Sequence, residues 1–216
     1  VLVEIAAYVL SIRHGGSFLD GPSAHVAARD GAVARELTHA ARHWQTVPET
    51  LFLHGGFAQL LADVVALAIF APNVEDATGR LRFALLYLLG GAVALALGVA
   101  LAPSSTAPAL GASGAVAAVL GAYALLYPRA RVLSLSLVPF FATVVAVPAV
   151  VLLALWFGVQ LWLAATGLAD PFGGDWGVGY ATLAAGFLFG ALSVRLFASD
   201  VRIAAKRDRT PPQPVY

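Results

Sequence analysis

From Leu51 to Phe197 the chain runs through five apolar stretches, each carrying at most one charged side chain. They are Leu51–Phe70, Phe83–Ala102, Ser113–Tyr127, Ala142–Thr166 and Val178–Phe197. About twenty apolar residues in a helix cross the ~30 Å hydrocarbon core of a bilayer. In lipid the backbone must satisfy itself, which leaves helices and closed barrels. The length of these stretches selects helices. A further apolar run, Val1–Ile12, is too short to span and has no basic region before it, so it does not read as a signal peptide. The chain is expected to begin inside its first transmembrane helix. The fold class is therefore all-α: a polytopic six-helix bundle with a truncated first helix. Composition agrees, since 60% of residues are hydrophobic and 12% charged. A soluble surface needs about twice that charge.

The same numbers exclude several functions. A net charge of +1 gives no basic face for nucleic acid. No glycine-rich phosphate loop opens a helix, so no nucleotide and no cofactor is implied. The absence of cysteine removes disulfides, thiolate nucleophiles and Cys-based metal sites. His39 and His43 have the i, i+4 spacing of a helical metal pair but lack a His-Glu-x-x-His frame. They read as a solvated face, and no metal site is expected.

Basic residues set the topology. One side of the membrane receives Arg80, Arg82, Arg129, Arg131, Arg195, Arg202, Lys206, Arg207 and Arg209; the other receives Arg13, Arg29, Arg35 and Arg42. By the positive-inside rule the first side is cytoplasmic, and both termini lie there. Residues 1–200 form the membrane domain and 201–216 a short basic, Pro-rich cytoplasmic tail. Within the external loop 13–49, Val33, Leu37, Ala40/Ala41 and Trp44 recur at helical spacing. They predict an amphipathic helix in the interface with Trp44 at headgroup depth. The lipid bilayer is thus the first partner, and the high Ala and Arg content resembles bacterial plasma-membrane proteins. In the fifth stretch, Pro139 and Pro148 predict an interrupted start and a helix from about Pro148.

The stretch opening at Ser113 is short for a full crossing, so Ser113 is expected below the membrane surface. Other polar groups in apolar stretches also need partners. These are His54, Gln59 and Asp63 in the second stretch. Each has an ordinary structural reading: a serine bonded to its own backbone, a histidine capping a helix start, an aspartate protonated or bonded to a neighbouring helix. Gly186 and Gly190 form a GxxxG pattern, which by itself signals close helix packing.

Together these stretches resemble the rhomboid family of intramembrane serine proteases. The matching segments are Phe52-Leu53-His54-Gly55-Gly56, Asn73-Val74-Glu75-Asp76, Gly111-Ala112-Ser113-Gly114-Ala115, Tyr127-Pro128-Arg129-Ala130-Arg131, Leu155-Trp156-Phe157 with Gln160-Leu161, and Gly186-Phe187-Leu188 with Gly190. The resemblance implies the six-helix rhomboid core with Ser113 as nucleophile at the buried start of the fourth helix. It also implies a base histidine on the sixth helix, in His-x-x-Gly-x-x-x-Gly. Gly186 and Gly190 put that position at Leu183, and no histidine follows His54.

Positions 183, 186 and 190 share one helix face. Small residues on it, with Gly114, Ala117 and Gly121 opposite, let the sixth helix approach the fourth, so Leu183 is expected to face Ser113. Thr182 lies ~100° away. The resemblance also implies an oxyanion region beginning at His54, with donors five and nine residues on. Here those positions are Gln59, which still donates, and Asp63, which donates only when protonated.

Losing the base of a serine protease costs up to ~10⁶-fold in turnover, and losing an oxyanion donor ~10²–10³. The expectation is a rhomboid-like pseudoprotease that binds transmembrane helices of client proteins or packs as an accessory subunit of a membrane complex. The alternative is an active intramembrane serine endopeptidase in which His54, Asp63 or a partner supplies the base. A transporter reading would use Asp63 and His54 as a proton path. It lacks an inverted repeat and a second charge deep in another span, with Glu4 expected near the interface.

Overall fold

The computed structural model describes residues 1–39, 44–138, 141–169 and 176–198. Helix α1 (Leu2–Arg13) is followed by a small hairpin, β1 (Gly16–Ser17) with β2 (Gly21–Pro22), then α2 (Ala24–Asp30), β3 (Ala32–Val33), α3 (Ala34–His39) and α4 (Thr46–Thr50). The membrane helices α5 (Phe57–Thr78) and α6 (Arg80–Leu101) come next. A two-residue strand, β4 (Pro108–Ala109), precedes α7 (Ser113–Leu126). A second hairpin, β5 (Arg131–Val138) with β6 (Phe141–Pro148), leads into α8 (Ala149–Ala169) and α9 (Trp176–Phe197). Among the described residues four helices are long and apolar enough to cross a membrane: α5, α6, α8 and α9.

Helix α7 is the axis of the bundle. Every residue from Ala115 to Tyr123 is buried, as expected of a helix apolar all round. Its 14 residues rise only ~21 Å, so its first turn starts inside the bundle. α9 lies against it at backbone distance. A Cβ on Gly186 would collide with the carbonyl of Gly114, one on Gly190 with the carbonyl of Ala118, and one on Gly121 with the carbonyl of Phe187. α6 closes the other side, with Gly90 against Ala118 and Gly91 against Ala115 and Leu51. Phe187 stacks on Phe157 at 4.7 Å, which carries α8 onto the same core.

Three boundaries differ from the expectation. The second span starts at Phe57, not Leu51, because Gly55 and Gly56 break the chain and leave His54 in a buried turn. It also continues through Pro72 to Thr78. The proline forfeits one backbone hydrogen bond, but Val74 and Ala77 beyond it are buried and Tyr127 Oη donates to the Asn73 carbonyl at 3.0 Å. Gly79, at φ +86°, then turns the chain into α6 in one residue, a conformation suited to glycine.

The third difference is the hairpin β5–β6, paired from Arg131↔Pro148 to Val138↔Phe141. Its alternating and β-branched residues suit strands, so Ala142–Val147 is not part of a span. The helix itself begins at Ala149, where Pro148 predicts it.

Of the external helix that the periodicity suggests, the described residues include α3, Ala34–His39. Val33 is in β3, paired antiparallel with β4, because that strand buries it against the approach to α7. Leu37 is buried in α3 and Trp44 is exposed. Ala40, Ala41, His43 and the tail 201–216 lie outside the described residues.

The α7–α9 contact yields a direct test. Gly190→Ala places a methyl against backbone that cannot yield, and is expected to cost about 1–3 kcal/mol or more. Gly158→Ala on α8, where a Cβ meets nothing within 4 Å, is expected to be neutral or to stabilise by up to ~1 kcal/mol. Thermal unfolding in detergent compares the two.

Candidate functional site

The start of α7 is held from outside the bundle by Thr50. Its hydroxyl oxygen accepts from the Ala32 backbone N–H, and its carbonyl accepts from Gly111 N at 3.3 Å. With the β3–β4 pairing, these bonds fix the segment that delivers Ser113. Gly111 sits at φ +141°, and a side chain there would run into the amide of Gln59.

Ser113 meets α5, not α9. Its hydroxyl donates to Asp63 Oδ2 at 2.8 Å and accepts from Gln59 Nε2 at 3.1 Å. Gln59 and Asp63 are one turn apart on the same face of α5, the i, i+4 relation. Gln59 is itself held, its Oε1 accepting from Gly55 N at 3.0 Å and its Nε2 lying 3.4 Å from the Leu110 carbonyl. His54 is fully buried. Its Nδ1 is 3.1 Å from the Phe52 carbonyl, which assigns the proton to Nδ1. Its Nε2 lies 3.5 Å from Asp63 Oδ2. Asp63, Ser113 and Gln59 thus form one hydrogen-bonded chain, with the His54 imidazole beside it and its Nε2 without a hydrogen-bond partner among the described residues.

Leu183 is half-buried and lines the same cavity of about 690 Å³ as Ser113 and Gln59. Thr182 also borders that cavity, but its methyl is turned toward Gly98 of α6 and its hydroxyl donates to its own Gly179 carbonyl at 2.7 Å. Among the described residues α9 offers Ser113 no proton acceptor. The glycines named with the site have the packing positions described above. Gly114 faces Ala94, Gly121 faces Phe187, and Gly186 and Gly190 face the α7 carbonyls.

The residues alone did not reveal two relations. The bond from Ser113 makes Asp63 an acceptor, as its alternative reading as a base requires; that these two side chains meet was not written in the sequence. Glu4 is 2% exposed and accepts from Tyr87 Oη at 2.7 Å, a partner that the sequence did not name. Among the described residues no cluster of three or more His, Cys, Asp or Glu side chains is placed to hold a metal.

A bundle of this kind, with a serine at the sunken start of a central helix and a glycine-lined helix beside it, defines the class of intramembrane rhomboid folds. Comparison with known proteins agrees, since residues 6–199 match the family model of the Rhomboid domain. The chain belongs to the rhomboid family. It is 29% identical over 106 residues to RHOMBOID-like protein 5 of Arabidopsis thaliana, covering 49% of this chain and 34% of that protein. It is 30% identical over 95 residues to the putative rhomboid protease YdcA of Bacillus subtilis, covering 44% of this chain and 47% of that one. The chain thus spans less than half the length of either relative. No solved structure matches it.

The Tyr87–Glu4 bond ties α6 to α1 at a position where neither group reaches water. Tyr87→Phe deletes the donor to Glu4 Oε1 and is expected to destabilise the protein by about 1–3 kcal/mol, the cost of an unsatisfied buried polar group. The double variant Tyr87→Phe/Glu4→Leu is expected to recover much of that loss. Unfolding in detergent reads both.

Proposed function

We propose that this rhomboid-family protein is a pseudoprotease that holds transmembrane segments of other proteins without cutting their peptide bonds. The observation that carries this reading is Leu183, which stands on α9 beside the Ser113 cavity where the family pattern has its base. Amide cleavage needs a group that takes the serine proton and returns it to the departing nitrogen. A leucine does neither.

Packing supports the binding half of the proposal. α5 and α8 barely touch, while both flank the α7–α9 core. Leu61 and Val65 of α5 and Leu155 and Trp162 of α8 are exposed on the bundle, apolar surface that a partner helix would cover. The cavity lining is mostly apolar, with Leu51, Ala94, Leu95 and Leu183 beside the polar Gln59, Ser113, Tyr180 and Thr182. A helix entering from lipid would exchange acyl chains for side chains, so close packing and hydrogen bonds, not hydrophobic transfer, would set affinity. The second reading, an accessory subunit of a larger membrane complex, rests on the same surface and differs in stoichiometry.

In the membrane, residues 1–200 act as one domain with 13–49 on the outside and both termini in the cytoplasm of a bacterial cell. The charge distribution supports this orientation. The cysteine-free chain makes it easy to test. Ser104→Cys is expected to react with a membrane-impermeant maleimide in intact spheroplasts, and Pro128→Cys only after lysis. The reverse pattern inverts the topology.

The functional test is photo-crosslinking of the native protein to co-expressed single-span reporters, with cleavage scored on the same gel. Crosslinks without cleavage are expected. Leu183→His is expected to raise cleavage above that background, since a missing base costs up to ~10⁶-fold and even partial recovery is visible. Native cleavage that disappears in Ser113→Ala would overturn the reading. Pulldown in mild detergent separates the two non-catalytic roles: several substoichiometric partners for a client binder, one fixed-ratio partner for a subunit.

A further inference from the structure

An aliphatic hydroxyl inside an apolar bundle takes whatever acceptor is nearest, and for Ser113 that acceptor is a carboxylate. The 2.8 Å bond from Ser113 Oγ to Asp63 Oδ2 has the geometry required of a nucleophile and its base. From one turn earlier on α5, Gln59 Nε2 donates to the same Oγ at 3.1 Å, its amide held by Gly55 N donating to Oε1. The first intrahelical bond of α7 is Val116 N to the Ala112 carbonyl. The amides of Ser113, Gly114 and Ala115 therefore lack helical partners and carry the positive end of the helix dipole. Gln59 and those amides surround the place where a negative oxygen would develop.

We propose that Ser113 and Asp63 form a nucleophile–base pair that hydrolyses acyl esters with an apolar acyl chain. This inference rests on the site geometry alone and is independent of the reading as a binder of transmembrane segments. Attack forms the bond from Oγ to the carbonyl carbon while the Oγ proton passes to Asp63 Oδ2. Collapse breaks the bond from that carbon to the alcohol oxygen, and the alcohol leaves with the proton returned by Asp63. Water repeats both transfers, releasing the carboxylic acid and restoring the serine.

The substrate class follows from the strength of the base and the shape of the cavity. A carboxylate is a weak base, and an alcohol departs far more readily than an amine. The pair therefore suits esters and is poorly matched to amides. The cavity that receives the acyl chain carries polar groups such as Gln59, Tyr180 and Thr182. The rest of its wall, Leu51, Gly91, Ala94, Leu95, Gly98 and Leu183, is apolar and in part too small to block a chain. Leucine at 183, unhelpful to a protease, widens the apolar wall for this substrate.

The test uses the full detergent-purified chain with an alkyl fluorophosphonate, followed by p-nitrophenyl esters of increasing acyl length. The native chain is expected to label at Ser113, located by mass spectrometry, and Ser113→Ala to lose the label. Asp63→Asn is expected to slow labelling and ester turnover by about 10²–10⁴-fold, the ordinary span of general-base assistance. Leu183→His in the Asp63→Asn background is expected to restore labelling by supplying an imidazole from α9.

No label on the native chain overturns the proposal, as does an Asp63→Asn variant that labels at the native rate. Asp63 also ties α5 to α7, so thermal unfolding accompanies each variant. Should Asp63→Asn fail to fold, His54→Gln decides. Retained labelling leaves Asp63 as the base, whereas loss in a folded His54→Gln moves the base to the imidazole and overturns the proposal. Either negative result leaves crosslinking to transmembrane reporters untouched, so the two proposals fail separately.

Discussion

The backbone contact between α7 and α9 is the constraint on which the rest of the bundle depends. Gly186, Gly190 and Gly121 bring the two helices so close that no side chain fits between them. This contact fixes the rotation of α9 as well as its distance, since turning the helix by one residue would bring Phe187 or Phe189 against the α7 backbone. With the rotation fixed, position 183 has to lie one turn above Gly186, beside the start of α7. The chemistry available to Ser113 is therefore decided by helix packing before any catalytic group is considered. In a bilayer, lipid tails are as apolar as leucine, so such packing carries the energy that hydrophobic burial carries in water.

Polar groups inside the bundle impose a second constraint. Glu4, His54, Asp63 and Gln160 are all buried, and a buried charge without a partner is costly. Among the described residues, two of them have hydrogen-bond partners on other elements: Glu4 on Tyr87 of α6 and Asp63 on Ser113 of α7, while His54 Nε2 lies 3.5 Å from Asp63 Oδ2 without a hydrogen bond. These contacts tie α1 to α6 and α5 to α7. They also single out Asp63, which is met by a hydroxyl and lies beside an imidazole. That environment suits a carboxylate that takes protons as well as one that only joins helices.

Much of this was legible in the sequence because apolar length and small-residue spacing are direct physical requirements. The spans, the helix start near Pro148 and the face shared by 183, 186 and 190 all follow from such requirements. Helix boundaries that depend on tertiary contacts were not legible. Nothing local tells that Pro72 is tolerated within α5; that depends on Val74 and Ala77 finding a buried face. The β5–β6 hairpin was hidden because a hydrophobic, β-branched run next to a span reads as more span. The partner of Ser113 was hidden for a similar reason. Residues 63 and 113 are on different helices, and only the packing of α5 on α7 says which of the buried polar groups meet.

Leu183 and Asp63 are best understood as one arrangement. In the rhomboid pattern a histidine on the sixth helix accepts from the serine and an amide or imidazole on the second helix donates nearby. With leucine at 183, the Ser113 hydroxyl would be left with donors and no acceptor, at a cost of about 1–3 kcal/mol. Asp63 removes that cost by accepting from the other side. The tether of the serine therefore passes from α9 to α5.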